Sequence, residues 1–161
     1  MSDETGARQV GAPDGNLVLD LFVLDQRMGA LLDAALGPTG VRPAEYAVYS
    51  QLGAGPLTPT QLCDRLGVSR STMTGHLAAL QRRGDTERVP DPRDGRSYRV
   101  ELTASGRERL EACRPHFRAA LARLVHHLGG DTTAHREMVR AVDAAAARAI
   151  ADLLHESAEP R

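Results

Sequence analysis

Ser69, Arg70, Ser71, Thr74 and Gly75 fall within about two turns of one short helical pattern, and Arg93, Asp94, Arg96 and Arg99 crowd a turn-rich stretch further along. A guanidinium can donate two parallel hydrogen bonds to a guanine edge or pair with phosphate, and a serine or threonine hydroxyl can bond either. Glycine on the same face permits close approach. The grouping therefore has the chemistry of nucleic-acid recognition. All 20 basic residues are arginine, and eight of them lie between Arg65 and Arg99 against four acids, Asp85, Glu87, Asp91 and Asp94. That segment carries +4. The whole chain carries −1, so the remainder carries −5. A positive field gathered on one segment is what a phosphate backbone attracts.

The elements that must position these residues are legible. Thr58-Pro59-Thr60-Gln61 reads as an N-cap, a proline at the first helical position and a glutamine that completes a capping box, opening a short helix to about Leu66. Gly67 supplies the turn. Ser69 caps a second helix running to about Arg83, with Met73, Leu77 and Leu80 on its core face and His76 packed near them. Thr86–Val89 and Ser97–Leu102 read as two strands around the turn-forming PDPRDG. Helix, turn, helix and hairpin in that order make a winged helix-turn-helix. The start of the second helix then reads the major groove, and the hairpin reaches a neighbouring groove or backbone. Asp94 is placed to hold Arg96 through a charge-assisted hydrogen bond.

The fold class that follows is mainly α with a small β-hairpin. An arm covers 1–15. A dimerisation helix at 16–40 carries Leu17, Leu21, Leu24, Met28, Leu31 and Leu32. The winged helix-turn-helix occupies 41–103, opening with a helix from Pro43 to about Leu52. C-terminal dimerisation helices fill 104–155, the first capped by Thr103 and striped by Leu110, Phe117, Leu121, Leu124 and Leu128. A break at Gly129-Gly130 separates it from the last, from about Thr132 to Leu154, and 156–161 is a tail. The terminal helices are more apolar than one subunit needs, which points to a homodimer.

Other chemistries find little support. The six histidines (76, 116, 126, 127, 135 and 155) show no zinc spacing, and there is no phosphate loop or nucleophile elbow, so no metal, no cofactor and no enzymatic activity are expected. Cys63 and Cys113 form no disulfide framework, and Cys63 sits at a core position. The polar, acidic start and the lack of a long apolar run predict a cytoplasmic protein without membrane contact. The competing class is a winged-helix protein-interaction module. It would place an apolar patch where Arg70, Arg93, Arg96 and Arg99 stand.

The run LTPTQLCDRLGVSRSTMTGHLAALQRRG, then Arg88, then DPRDGR and LTASG, resembles the MarR (multiple antibiotic resistance regulator) family of winged-helix regulators over roughly Pro43 to Gly106. The family's wing aspartate and arginine fall on Asp94 and Arg96. The resemblance implies a dimeric repressor on a pseudo-palindromic operator, double-stranded DNA as partner, and release by a small phenolic or lipophilic effector. A cleft for that effector would be lined by Leu24, Arg27 and Met28 of the first helix and Tyr46 and Tyr49 of the second. The chain departs from the family at Gly84-Asp85-Thr86, where apolar residues are usual, and this predicts looser packing of the first wing strand. It departs again at Gly75, where many relatives carry arginine, and it lacks the cysteine near the start of the first helix on which peroxide-sensing relatives rely.

Overall fold

A computed structural model describes residues 10, 11, 13, 15–92 and 94–158, and at residues 94–96 and 158 the backbone alone. Most of the expected arm and residues 159–161 of the expected tail lie outside the described residues, whereas residues 156–158 of that tail are helical. The element order is α1 (Leu17–Leu36), a 3-10 turn (Gly37–Thr39), α2 (Pro43–Leu52), α3 (Pro59–Leu66), α4 (Arg70–Arg82), β1 (Thr86–Asp91), β2 (Asp94–Leu102), α5 (Ala104–His127) and α6 (Thr133–Ala158). Asn16 caps α1 by accepting from the backbone N–H groups of Val18 and Leu19. Thr58 and Gln61 close the capping box of α3, and Ser69 caps α4 by accepting from the Thr72 N–H. Gly67 takes the left-handed conformation (φ 64°) that turns α3 into α4. The helix-turn-helix thus forms from short-range signals.

The β-hairpin is longer than the sequence predicts. β1 continues through Pro90 to Asp91, and β2 starts at Asp94, with an irregularity of register between Pro90 and Asp91. Pro90 is tolerated because, among the described residues, β1 is an edge strand with no further neighbour to receive its missing N–H. β2 has a second partner, since Leu57 and Val100 exchange backbone hydrogen bonds of 3.1 and 2.8 Å. That bridge ties the hairpin to Leu57, the residue before the Thr58 cap of α3.

The chain divides into two compact units, one reaching Ala120 and the other starting at Leu121. The first holds a core in which Leu36, Val48, Tyr49, Leu62, Leu80 and Cys113 are wholly buried. Met73, Leu77 and Leu80 bury the inner face of α4, at about 1.5–3 kcal/mol for each full side chain removed from water. α5 runs unbroken through Pro115. In the second unit, the end of α5 and α6 enclose an apolar groove of about 440 Å³ lined by Leu121, Leu124, Val125, Leu128 and Val139 among others. Along α6, Met138, Val139, Ile150, Leu153 and Leu154 are exposed, as are Leu17, Val18 and Phe22 on α1. Among the described residues no helix is long and apolar enough to cross a membrane.

Candidate nucleic-acid interface

The first turns of α4 present Ser69, Arg70, Ser71, Thr74 and Gly75 to solvent, opposite the buried Met73–Leu77–Leu80 face. Part of their bonding capacity is already used. The Ser69 Oγ accepts from the Thr72 N–H at 3.2 Å and lies 2.9 Å from the Ser71 hydroxyl, while the Thr74 hydroxyl donates to the Arg70 carbonyl at 2.8 Å. Thr74 therefore offers a lone pair and its methyl outward, and Arg70 offers a full guanidinium. A side chain at Gly75 would meet nothing within 4 Å, so the glycine leaves this face open rather than serving the packing of the fold. His76 is half-buried, as its place beside the core face requires.

On the wing, Arg93 and the side chains of Asp94 and Arg96 lie outside the described residues, so the Asp94–Arg96 pairing has no geometry here. Arg99 is half-buried, with its Nε 3.3 Å from the Asp91 carboxylate, an ion pair that spans the hairpin near its tip. Arg88 lies over the Tyr98 ring, 4.5 Å from its centroid, a second contact that crosses the two strands. These pairs stiffen the base of the loop that carries the arginines.

Glu45, Tyr49, Arg83, Asp85, Ser105 and Arg109 form a polar cluster that the sequence did not disclose. The expectation of a loosely packed first strand is overturned, because Asp85 is 0% exposed and Thr86 is buried beside it. The Asp85 carboxylate accepts the Tyr49 hydroxyl at 2.6 Å and the Ser105 hydroxyl at 2.9 Å. It also lies 3.3 Å from the Arg83 Nε and 3.1 Å from the Arg109 Nε. Arg83 reaches on to Glu45 at 3.0 Å. A carboxylate can occupy an apolar position when its lone pairs and charge are met this fully. Burial pushes Asp85 up, but the bonds from Tyr49 and Ser105 and the Arg109 charge outweigh it and hold the carboxyl below the usual range. Burial and the Asp85 bond push the Tyr49 phenol upward. The signal available in the sequence was one acid in a family-apolar position, with partners far away along the chain.

The residues expected to line an effector cleft differ in burial. Tyr49 is wholly buried with its hydroxyl on Asp85. Tyr46 packs against Phe117 with ring centroids 4.9 Å apart. Leu24 and Arg27 are exposed and Met28 is half-buried. A cleft of about 400 Å³ is lined by Pro38, Thr39, Ser105, Glu108, Arg109 and His116 among others. Among the described residues no group of three His, Cys, Asp or Glu side chains could hold a metal ion.

Comparison with known proteins is consistent in kind. A model described as the MarR family matches residues 39–97. The chain is 31% identical over 105 residues to the HTH-type transcriptional repressor YetL of Bacillus subtilis, covering 63% of each protein and so just under two thirds of that relative's length. It is 31% identical over 102 residues to the multiple antibiotic resistance protein MarR of Salmonella typhimurium, covering 63% of this chain and 69% of that protein. Among solved structures, the Mycobacterium tuberculosis transcriptional regulator MosR in complex with DNA matches with a TM-score of 0.71 at 26% identity, over 83% of this chain and 98% of that one. MarR from Escherichia coli in its apo form matches with a TM-score of 0.64 at 27% identity, over 78% of this chain and 94% of that one.

Proposed function

Because this chain belongs to the MarR family of winged-helix transcriptional regulators, we propose that it acts as a homodimeric repressor on a pseudo-palindromic operator. The observation that carries the reading is the exposed first turn of α4, polar and arginine-bearing, held rigid by a buried apolar face behind it. In this reading Arg70 addresses a base edge. Ser69, Ser71 and Thr74 meet phosphate or bases, and Gly75 lets the backbone come close. Arg93, Arg96 and Arg99 carry the wing to a groove or backbone beyond, with Asp94 orienting Arg96.

The dimer brings two α4 helices about 34 Å apart, one turn of duplex DNA. The apolar side chains left exposed along α1 and α6 support a second copy as the covering partner. A small phenolic or lipophilic effector releases DNA by favouring an arrangement with a different helix spacing. This reading assigns Leu24, Arg27 and Met28 of α1 and Tyr46 and Tyr49 of α2 to the effector. The exposed start of α4 carries no large apolar side chain, so nothing there favours the protein-interaction alternative.

The test is selection of bound sequences from a random duplex library at near-physiological salt, followed by Arg96→Ala on the selected site. A two-fold symmetric site is expected, with affinity lowered about tenfold or more by the substitution. Failure to enrich any symmetric site would remove the reading, and unchanged affinity in Arg96→Ala would remove the wing from it.

A further inference from the structure

The cluster around Asp85 sits where the reading head meets the scaffold, and its membership is specific. Arg83 closes the end of α4, Asp85 immediately precedes β1, Glu45 and Tyr49 come from α2, and Ser105 and Arg109 come from the start of α5. The backbone joins in. The Asp85 N–H donates to the Leu80 carbonyl, the Thr103 N–H donates to the Asp85 carbonyl, and the Thr103 hydroxyl donates to the Gly84 carbonyl. Gly106 is required here, because a Cβ would run into the Asp85 carbonyl oxygen. α5 is thereby locked against the end of α4, and it continues past Ala120 into the second unit.

Cohesion alone does not call for this arrangement. Burying the acids Glu45 and Asp85 beside partly exposed arginines is expensive, and an apolar side chain of similar size would fill the place of Asp85 without that cost. Charge-assisted hydrogen bonds do what apolar contact cannot, since they hold only within a narrow range of direction and distance. The Tyr49 and Ser105 hydroxyls are held to the Asp85 carboxylate in this way, and Arg83 and Arg109 add their charges beside it.

We propose that Asp85 is a positioning residue for DNA reading: with Arg83, Arg109, Tyr49 and Ser105 it fixes the angle at which α4 leaves α5, and so which half-site separation the dimer accepts. This rests on the dimeric DNA-binding reading above. Arg109 is the practical handle. Its side chain is 37% exposed and borders the cleft of Thr39, Glu108 and His116, so replacing it opens no sealed cavity.

The experiment measures affinity for the selected operator and for versions with one base pair added or removed between the half-sites. Wild type, Arg109→Met, Arg109→Lys and Tyr49→Phe are compared after each is confirmed folded and dimeric. Wild type should lose about tenfold per base pair of altered spacing, and Arg109→Met and Tyr49→Phe less than about threefold. Arg109→Lys, which keeps the charge, should recover part of the discrimination, and binding to random duplex should be the same in all four. Tyr49→Phe removes a single hydroxyl and carries the test should Arg109→Met fail to fold. Variants that keep the wild-type spacing penalty while losing only thermal stability would overturn the inference alone. Wild type that prefers no symmetric site at any spacing would overturn the DNA reading and this inference with it.

Discussion

Asp85 couples the stability of this protein to pH in a direction that can be worked out. Its carboxyl is held below the usual range in the fold, against about 4 in the unfolded chain. The folded state therefore binds the proton less well, and the stabilisation is complete above about pH 4 and lost as pH falls through the lowered folded value. Tyr49 works at the other end. Its phenol is raised, so its contribution holds below about pH 10 and disappears as pH climbs further. Asp85→Asn should lower the unfolding free energy at neutral pH by about 2–4 kcal/mol, softened because Arg83 and Arg109 are each about a third exposed and can regain water. Urea titrations between pH 3 and 7 should then show a shallower acid limb in the variant. Equal slopes in the two proteins would mean that Asp85 does not set it.

At the scale of elements, α4 divides its labour between two faces, and Gly75 shows which face is free. It is helical, with open space where a side chain would go, so Gly75→Ala should raise stability by about 0.5–1 kcal/mol, read as a higher urea midpoint at unchanged slope. A lower midpoint would mean that the backbone there is strained. The same helix shows why much of the fold was legible. The Thr58 capping box, the Gly67 turn, the Ser69 cap and the Met73–Leu77–Leu80 spacing are all settled within a few residues of chain. What the sequence hid is non-local. The Leu57–Val100 bridge joins residues far apart, and pairing across the hairpin carried both strands beyond their expected ends into turn-forming residues. Asp85 read as a defect because its partners Tyr49, Ser105 and Arg109 come from other elements. The exposed start of α4 was foreseen from the cap and the core spacing, whereas Tyr49, foreseen as a cleft residue, is wholly buried in the Asp85 cluster.

For the whole molecule, the exposed apolar side chains of α1 and α6 set an expectation about assembly. If a second copy covers them, the unfolding midpoint rises with protein concentration, because association stabilises only the folded form. Leu153→Glu should abolish most of that dependence and give a smaller sedimenting species at micromolar concentration. A dimer of unchanged strength would place the interface elsewhere. A final consequence comes from the two thiols. Cys63 and Cys113 are both buried, so neither offers sulfur to a reagent in solution. A cysteine introduced on the wing, at Glu87 for example, would then be the accessible target for a maleimide or nitroxide label without first stripping the native ones. Paired labels on the two subunits would turn the separation of the wings into a spectroscopic ruler, readable with and without DNA.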